Sequence, residues 1–120
     1  MLFRSGLPAP VTAATGIDAM VHAIEAYTSK IKKNPMSDQL ARQALALLSA
    51  NVRRVCQNGS DLAARSEMLL GSMLAGMAFA NAPVAAVHAL AYPIGAMFHV
   101  PHGLSNALVL RHVLDRKSVV

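Results

Sequence analysis

The chain has 120 residues, of which 54% are hydrophobic, 14% charged and 4% aromatic, with one cysteine and a formal net charge of +5. Such a composition excludes a disordered polymer, and the lone Cys56 excludes an internal disulfide and fits a reducing compartment. The basic residues are scattered from Arg4 to Lys117 without interleaved aromatic residues, so the positive balance reads as solvated surface and not as a nucleic-acid face.

The opening "MLFRSGLPAP" carries no apolar run before its prolines, so no secretory signal is read there and a cytoplasmic protein is expected. Both ends look foreign to the rest. "LFRS" can be encoded by CTC TTC CGA TCT, and the reverse complement of that string, in a shifted frame, begins "DRKS", which is Asp115 to Ser118. The expectation is that Met1–Ser5 and Asp115–Val120 are non-native tails around a partial domain spanning 6–114.

Thr12 or Thr15 can cap a first helix reaching about Ser29, in which Ile17, Met20, Val21, Ile24 and Tyr27 recur at helical spacing. "KIKKNP" breaks it. Asn34 and Pro35 form a cap and first-turn pair for a second helix to about Val55, with Leu40, Ala44, Leu47, Leu48 and Val52 on its apolar face. After the turn "QNGSD", Asp61 suits the positive end of a third helix running to about Asn81. Pro83 starts a fourth helix, which holds His88 and should be disturbed near Pro93 and Gly95. Pro101 opens the last helix along "HGLSNALVLRHVL". No strand pattern competes, and the predicted fold class is all-α, a helical bundle.

From Met68 to Leu110 there is no Asp, Glu, Lys or Arg, a length that raises a membrane reading. Asn81, Pro83, His88, Pro93, His99 and His102 oppose it, because they leave no window of about twenty residues free of costly polar or helix-breaking groups. A helix pair buried within a larger protein explains the segment better, with Gly71, Ala75 and Gly76 allowing close backbone approach. Expressed without covering partners, the segment should expose a large apolar patch.

In "GIDAMVHAIEAY", Asp18 and His22 stand four residues apart, on one helical face. Alone, such a pair is commonly a surface pair, and His88 alone is commonly a satisfied core histidine. Together in a largely apolar chain, Asp18, His22, His88 and His102 form a candidate metal set, since buried ionisable groups need pairing or coordination. One carboxylate and three neutral imidazoles leave a divalent cation positively charged with an open position, as in a catalytic site.

The segments "TAATGIDAMVHAIEAY", "GSMLAGMAFANAPVAAVHALAYPIG" and "VPHGLSNALVL" resemble the signature stretches of the iron-containing (group III) alcohol dehydrogenases, over about Leu7 to Val113. The resemblance implies the helical metal-binding domain of the dehydroquinate synthase-like fold, with Asp18, His22, His88 and His102 as metal ligands. It implies Fe2+, with Zn2+ as the other candidate, and NAD or NADP as cofactor. The implied partner is a small-molecule alcohol or aldehyde, with no nucleic acid or membrane, and homo-oligomers at full length. The chemistry is hydride transfer between an alcohol or aldehyde and the nicotinamide. The family's N-terminal nucleotide-binding domain has no counterpart here, because the chain carries no G-x-G-x-x-G and no alternating strands; alone it is expected to be inactive.

Many family members carry a histidine where this chain has Tyr92, and a phenol, titrating near about 10, accepts a proton poorly at neutral pH. Tyr92 and His99 are thus candidate proton-handling residues, with a pocket-lining or solvent-facing place as the alternative for His99. A zinc-dependent glycerol dehydrogenase relative and a non-catalytic helical bundle are the competing readings of the whole chain.

Overall fold

The computed structural model describes residues 6–82 and 86–117. Its elements are five helices: α1 (Ala9–Thr28), α2 (Pro35–Gln57), α3 (Leu62–Asn81), α4 (Ala86–Phe98) and α5 (His102–Lys117), with no strand among the described residues. Residues 1–5 and 118–120 of the two expected non-native tails, and the helix start at Pro83, lie outside the described residues, while residues 115–117 continue α5.

The first cap differs from the expectation. The N-cap of α1 is Pro8, whose carbonyl accepts the Thr12 N–H at 2.9 Å, and Pro10 occupies the first turn, where a missing N–H removes no helical bond. Thr12 and Thr15 lie inside the helix, their hydroxyls bonding back to the carbonyls of Leu7 and Val11. Asn34 caps α2 as expected, and more completely: its side chain accepts from the Ser37 N–H at 3.0 Å, while the Ser37 hydroxyl accepts from the Asn34 N–H at 3.1 Å. Asp61 caps α3 by accepting from the Ala64 N–H at 2.9 Å. That bond lowers the Asp61 carboxyl below its ordinary value against the opposing effect of desolvation, helped by the Arg54 guanidinium 2.8 Å away.

The disturbance expected near Pro93 and Gly95 does not occur, and α4 runs unbroken through Pro93 to Phe98. Pro93 and Ala89, whose carbonyl lacks its helical partner, both belong to the exposed side of the helix, where water can take the place of the lost bond. The chain reverses instead at His99, which adopts a left-handed φ of 54°.

Helix α1 is central, with α2 and α3 on one side and α4 and α5 on the other. Small side chains dominate both contacts. Ala19, Ala23 and Ala26 meet Ala41, Ala44, Leu48, Leu74, Ala75 and Ala78 on the first side, and Val21 meets Val87, Ala91, Val109 and Val113 on the second. Side chains this small let helix axes come close, which leaves glycine as the only residue that fits at the tightest points. At Gly71 a Cβ would stand 2.8 Å from Leu48 Cγ, and at Gly103 it would stand 2.1 Å from the Ala14 carbonyl oxygen. Gly76, expected to serve the same purpose, does not: it is exposed, with nothing within 4 Å of its would-be Cβ.

The apolar residues left over are many. Leu69, Leu70, Met73 and Met77 on α3, Leu90, Met97 and Phe98 on α4, and Leu104 and Leu108 on α5 are all exposed, each within the uncharged segment. No single described helix is long and apolar enough to cross a membrane.

Candidate metal centre

Asp18 stands midway along α1, on the side turned toward α4 and α5. His88 comes from the first turns of α4 and is 1% exposed, and His102 is the first residue of α5. The close passage of Gly103 over Ala14 brings the start of α5 down onto α1 beside Asp18. His88 Nε2 lies 3.5 Å and His102 Nε2 3.4 Å from the same oxygen, Asp18 Oδ1. All three atoms fall within 4.8 Å of one another.

His22, one turn after Asp18, adjoins this group through the other carboxylate oxygen, with its Nε2 3.7 Å from Asp18 Oδ2. Its ring stacks on His88 at 4.3 Å between centroids and meets Phe79 at 5.1 Å. Its Nδ1 is buried without a hydrogen-bond partner. Tyr92 stacks on His102 at 5.5 Å and is exposed, at the rim of the cluster. His99 stands apart: it is exposed, and no hydrogen bond, ion pair or ring contact links it to the cluster.

Two further residues belong to the centre and escaped the sequence reading. Asn106, fully buried on α5, donates from Nδ2 to Asp18 Oδ1 at 2.5 Å and lies 3.3 Å from His88 Nε2 and 3.2 Å from His102 Nε2. Glu25, 2% exposed, places Oε2 at 2.6 Å from His88 Nδ1 and accepts the Val87 N–H on Oε1 at 2.7 Å. The available signal was spacing. Asn106 follows His102 by one helical turn, and Asp18, His22 and Glu25 repeat at the four- and seven-residue steps of one face.

The electrostatics follow from this arrangement. Partial burial by itself pushes the Asp18 carboxyl up, but His22 beside it, the charge of His102 and the Asn106 amide together hold it below its ordinary value.

The donor set fits a divalent cation on two counts. Asp18 Oδ1, His88 Nε2 and His102 Nε2 crowd a single amide nitrogen with two protons, so with both imidazoles neutral and their lone pairs at Nε2 one acceptor is left unserved. The separations of 3.4 and 3.5 Å also match the edge, about 3.4 Å, of a tetrahedron with centre-to-corner bonds of about 2.1 Å. Beside Asp18 and His22, a cleft of about 310 Å³ is lined by Thr15, Ser72, Ala75, Gly76 and Phe79.

An all-helical bundle with a carboxylate and imidazoles gathered between three helices defines the class of protein. The profile of the Fe-containing alcohol dehydrogenase family, C-terminal part, matches residues 12–118, and the chain belongs to that family. It is 56% identical over 108 residues to long-chain-alcohol dehydrogenase 1 of Geobacillus thermodenitrificans, covering 90% of this chain and 27% of that protein. A crystal structure of a 1,3-propanediol oxidoreductase superposes with a TM-score of 0.92 at 47% identity, covering 96% of this chain and 30% of that one. Sulfoacetaldehyde reductase from Bifidobacterium kashiwanohense, in complex with NAD+, superposes with a TM-score of 0.87 at 29% identity, covering 91% and 29%. The chain thus spans less than a third of the length of these relatives.

Proposed function

We propose that the protein is a metal-dependent alcohol dehydrogenase, transferring a hydride between an alcohol or aldehyde and NAD or NADP. The observation that carries this reading is the convergence of His88 and His102 on Asp18 Oδ1 at 3.5 and 3.4 Å, next to an open cleft. A bound divalent cation supplies Lewis acidity at the alcohol or carbonyl oxygen.

The chain's own residues do the rest. Asp18, His88 and His102 would hold the cation, and His22, whose Nε2 lies 3.7 Å from Asp18 Oδ2, would be the fourth ligand. Asn106 fixes the Asp18 carboxylate in place from α5. The cleft beside Asp18 and His22, lined by Ala19, Ala75 and Phe79 together with Thr15 and Ser72, offers the substrate a mixed apolar and hydroxyl-bearing seat. Tyr92, stacked over His102, offers a hydroxyl donor at the solvent edge.

The family name favours iron, although a mixed imidazole and carboxylate set suits zinc as well. The NAD+ complex of the related sulfoacetaldehyde reductase supports a nicotinamide cofactor. Metal analysis of the full-length protein, with NAD+ and NADP+ reduction assayed over a panel of primary alcohols and diols, tests the reading. Metal-dependent reduction of one cofactor is expected. Full activity after complete metal removal, or no reduction with any alcohol, would overturn it.

A further inference from the structure

Glu25 is a buried carboxylate with no Lys or Arg paired to it among the described residues. Among the described residues each carboxylate oxygen meets a different partner: the Val87 N–H on Oε1 at 2.7 Å and His88 Nδ1 beside Oε2 at 2.6 Å. An ionised carboxylate can only accept, so at 2.6 Å from Glu25 Oε2 the ring donates from Nδ1. On the far side of the same ring, Nε2 lies between the Asn106 amide nitrogen at 3.3 Å and Asp18 Oδ1 at 3.5 Å, and in the neutral imidazole it is the nitrogen left with the lone pair.

We propose that Glu25 is a positioning residue: it holds His88 in the Nδ1–H tautomer with its ring fixed, so that Nε2 presents its lone pair to the cation shared with Asp18 and His102. The inference rests on the metal reading above, which it deepens. It follows from the chemistry of the site that an isosteric amide cannot do the same. In Glu25→Gln one oxygen and one NH2 replace two oxygens. If the oxygen keeps the Val87 N–H, the NH2 points at Nδ1, which must then accept, and the ring proton moves to Nε2, where it blocks coordination. If the amide turns over, two donors face each other at Val87 in a buried place, and that arrangement is disfavoured. A role confined to anchoring the start of α4 needs only the Val87 bond, which Gln preserves.

Two measurements on the full-length protein test this. The first is the ring-nitrogen proton correlation spectrum of the cation-free protein, with the His88 signals assigned by their loss in His88→Asn. An Nδ1–H pattern is expected; an Nε2–H pattern overturns the proposal. The second is titration with Zn2+ and with Co2+ of the unmodified protein and of Glu25→Gln, with far-UV circular dichroism confirming that both are folded. Cation affinity should fall roughly 10- to 100-fold in the variant, the range usual for the outer partner of a ligating histidine. Equal affinity in a folded Glu25→Gln overturns the proposal. If the variant does not fold, the tautomer spectrum of the unmodified protein decides alone. Absence of Zn2+ and Co2+ binding in the unmodified protein would sink the metal reading, whereas the spectrum still reports on Glu25.

Discussion

Gly103→Ala and Gly76→Ala make the same chemical change on two helices and should move stability in opposite directions. The Cβ added at Gly103 would stand 2.1 Å from the Ala14 carbonyl oxygen and 2.6 Å from its carbon. A carbon against a carbonyl oxygen needs about 3.3 Å, so α5 would have to retreat from α1 by roughly 1 Å. Both obstacles are backbone atoms, so no change of rotamer can relieve the overlap. Overpacking of this kind costs typically about 1–3 kcal/mol. The preference of a helix interior for Ala over Gly, about 1 kcal/mol, offsets part of that at most, and less at Gly103, the second residue of its helix. Taking about half of the propensity term off the overpacking cost leaves an expected net loss of about 0.5–2.5 kcal/mol. At Gly76, with nothing within 4 Å, only the propensity gain applies, and stability should rise by up to about 1 kcal/mol. Urea unfolding followed by far-UV circular dichroism measures both, with a constant slope confirming that the midpoint reports stability. Because α5 also carries His102 and Asn106 onto Asp18, Zn2+ affinity should fall in Gly103→Ala and hold in Gly76→Ala. A Gly103→Ala protein that unfolds at the same urea concentration as the unmodified one, or a higher one, would refute the close crossing of α1 and α5.

Replacing Asn34 by Ala removes the reciprocal cap of α2 and should cost about 1 kcal/mol in the same urea experiment. Either His88→Ala or His102→Ala should lower metal content and alcohol oxidation together, while His99→Ala, outside the cluster, should leave metal content unchanged by elemental analysis. The Asp61 carboxyl titrates below its ordinary value in the folded protein, so its contribution is present above the unfolded value and lost as pH falls through the folded one. Asp61→Asn should therefore flatten the acid side of a melting-temperature profile against pH and leave its neutral side nearly level.

Much of this architecture is written in local chemistry. Asn34 before Pro35, and Asp61 after "QNGS", mark helix starts by side-chain oxygens that can only be satisfied by the first free N–H groups of a helix, which is a contact within four residues. The pairing of Asp18 with His22 is legible for the same reason, since helical geometry alone sets both on one face. The tertiary structure decided what distant segments do to one another. Glu25 reads as an ordinary helix carboxylate until α4 packs across α1 and lowers His88 Nδ1 and the Val87 N–H onto it, partners more than sixty positions away. Pro93 predicts a break by its missing N–H, yet it and Ala89 lie on the exposed side of α4, where the Ala89 carbonyl is open to solvent, and the helix continues. Gly71, Gly76 and Gly103 are the same residue in the sequence. Whether a missing Cβ faces a leucine, open space or a crossing backbone depends on how close the helix axes come, and that distance is set by the alanines and valines packed between the helices.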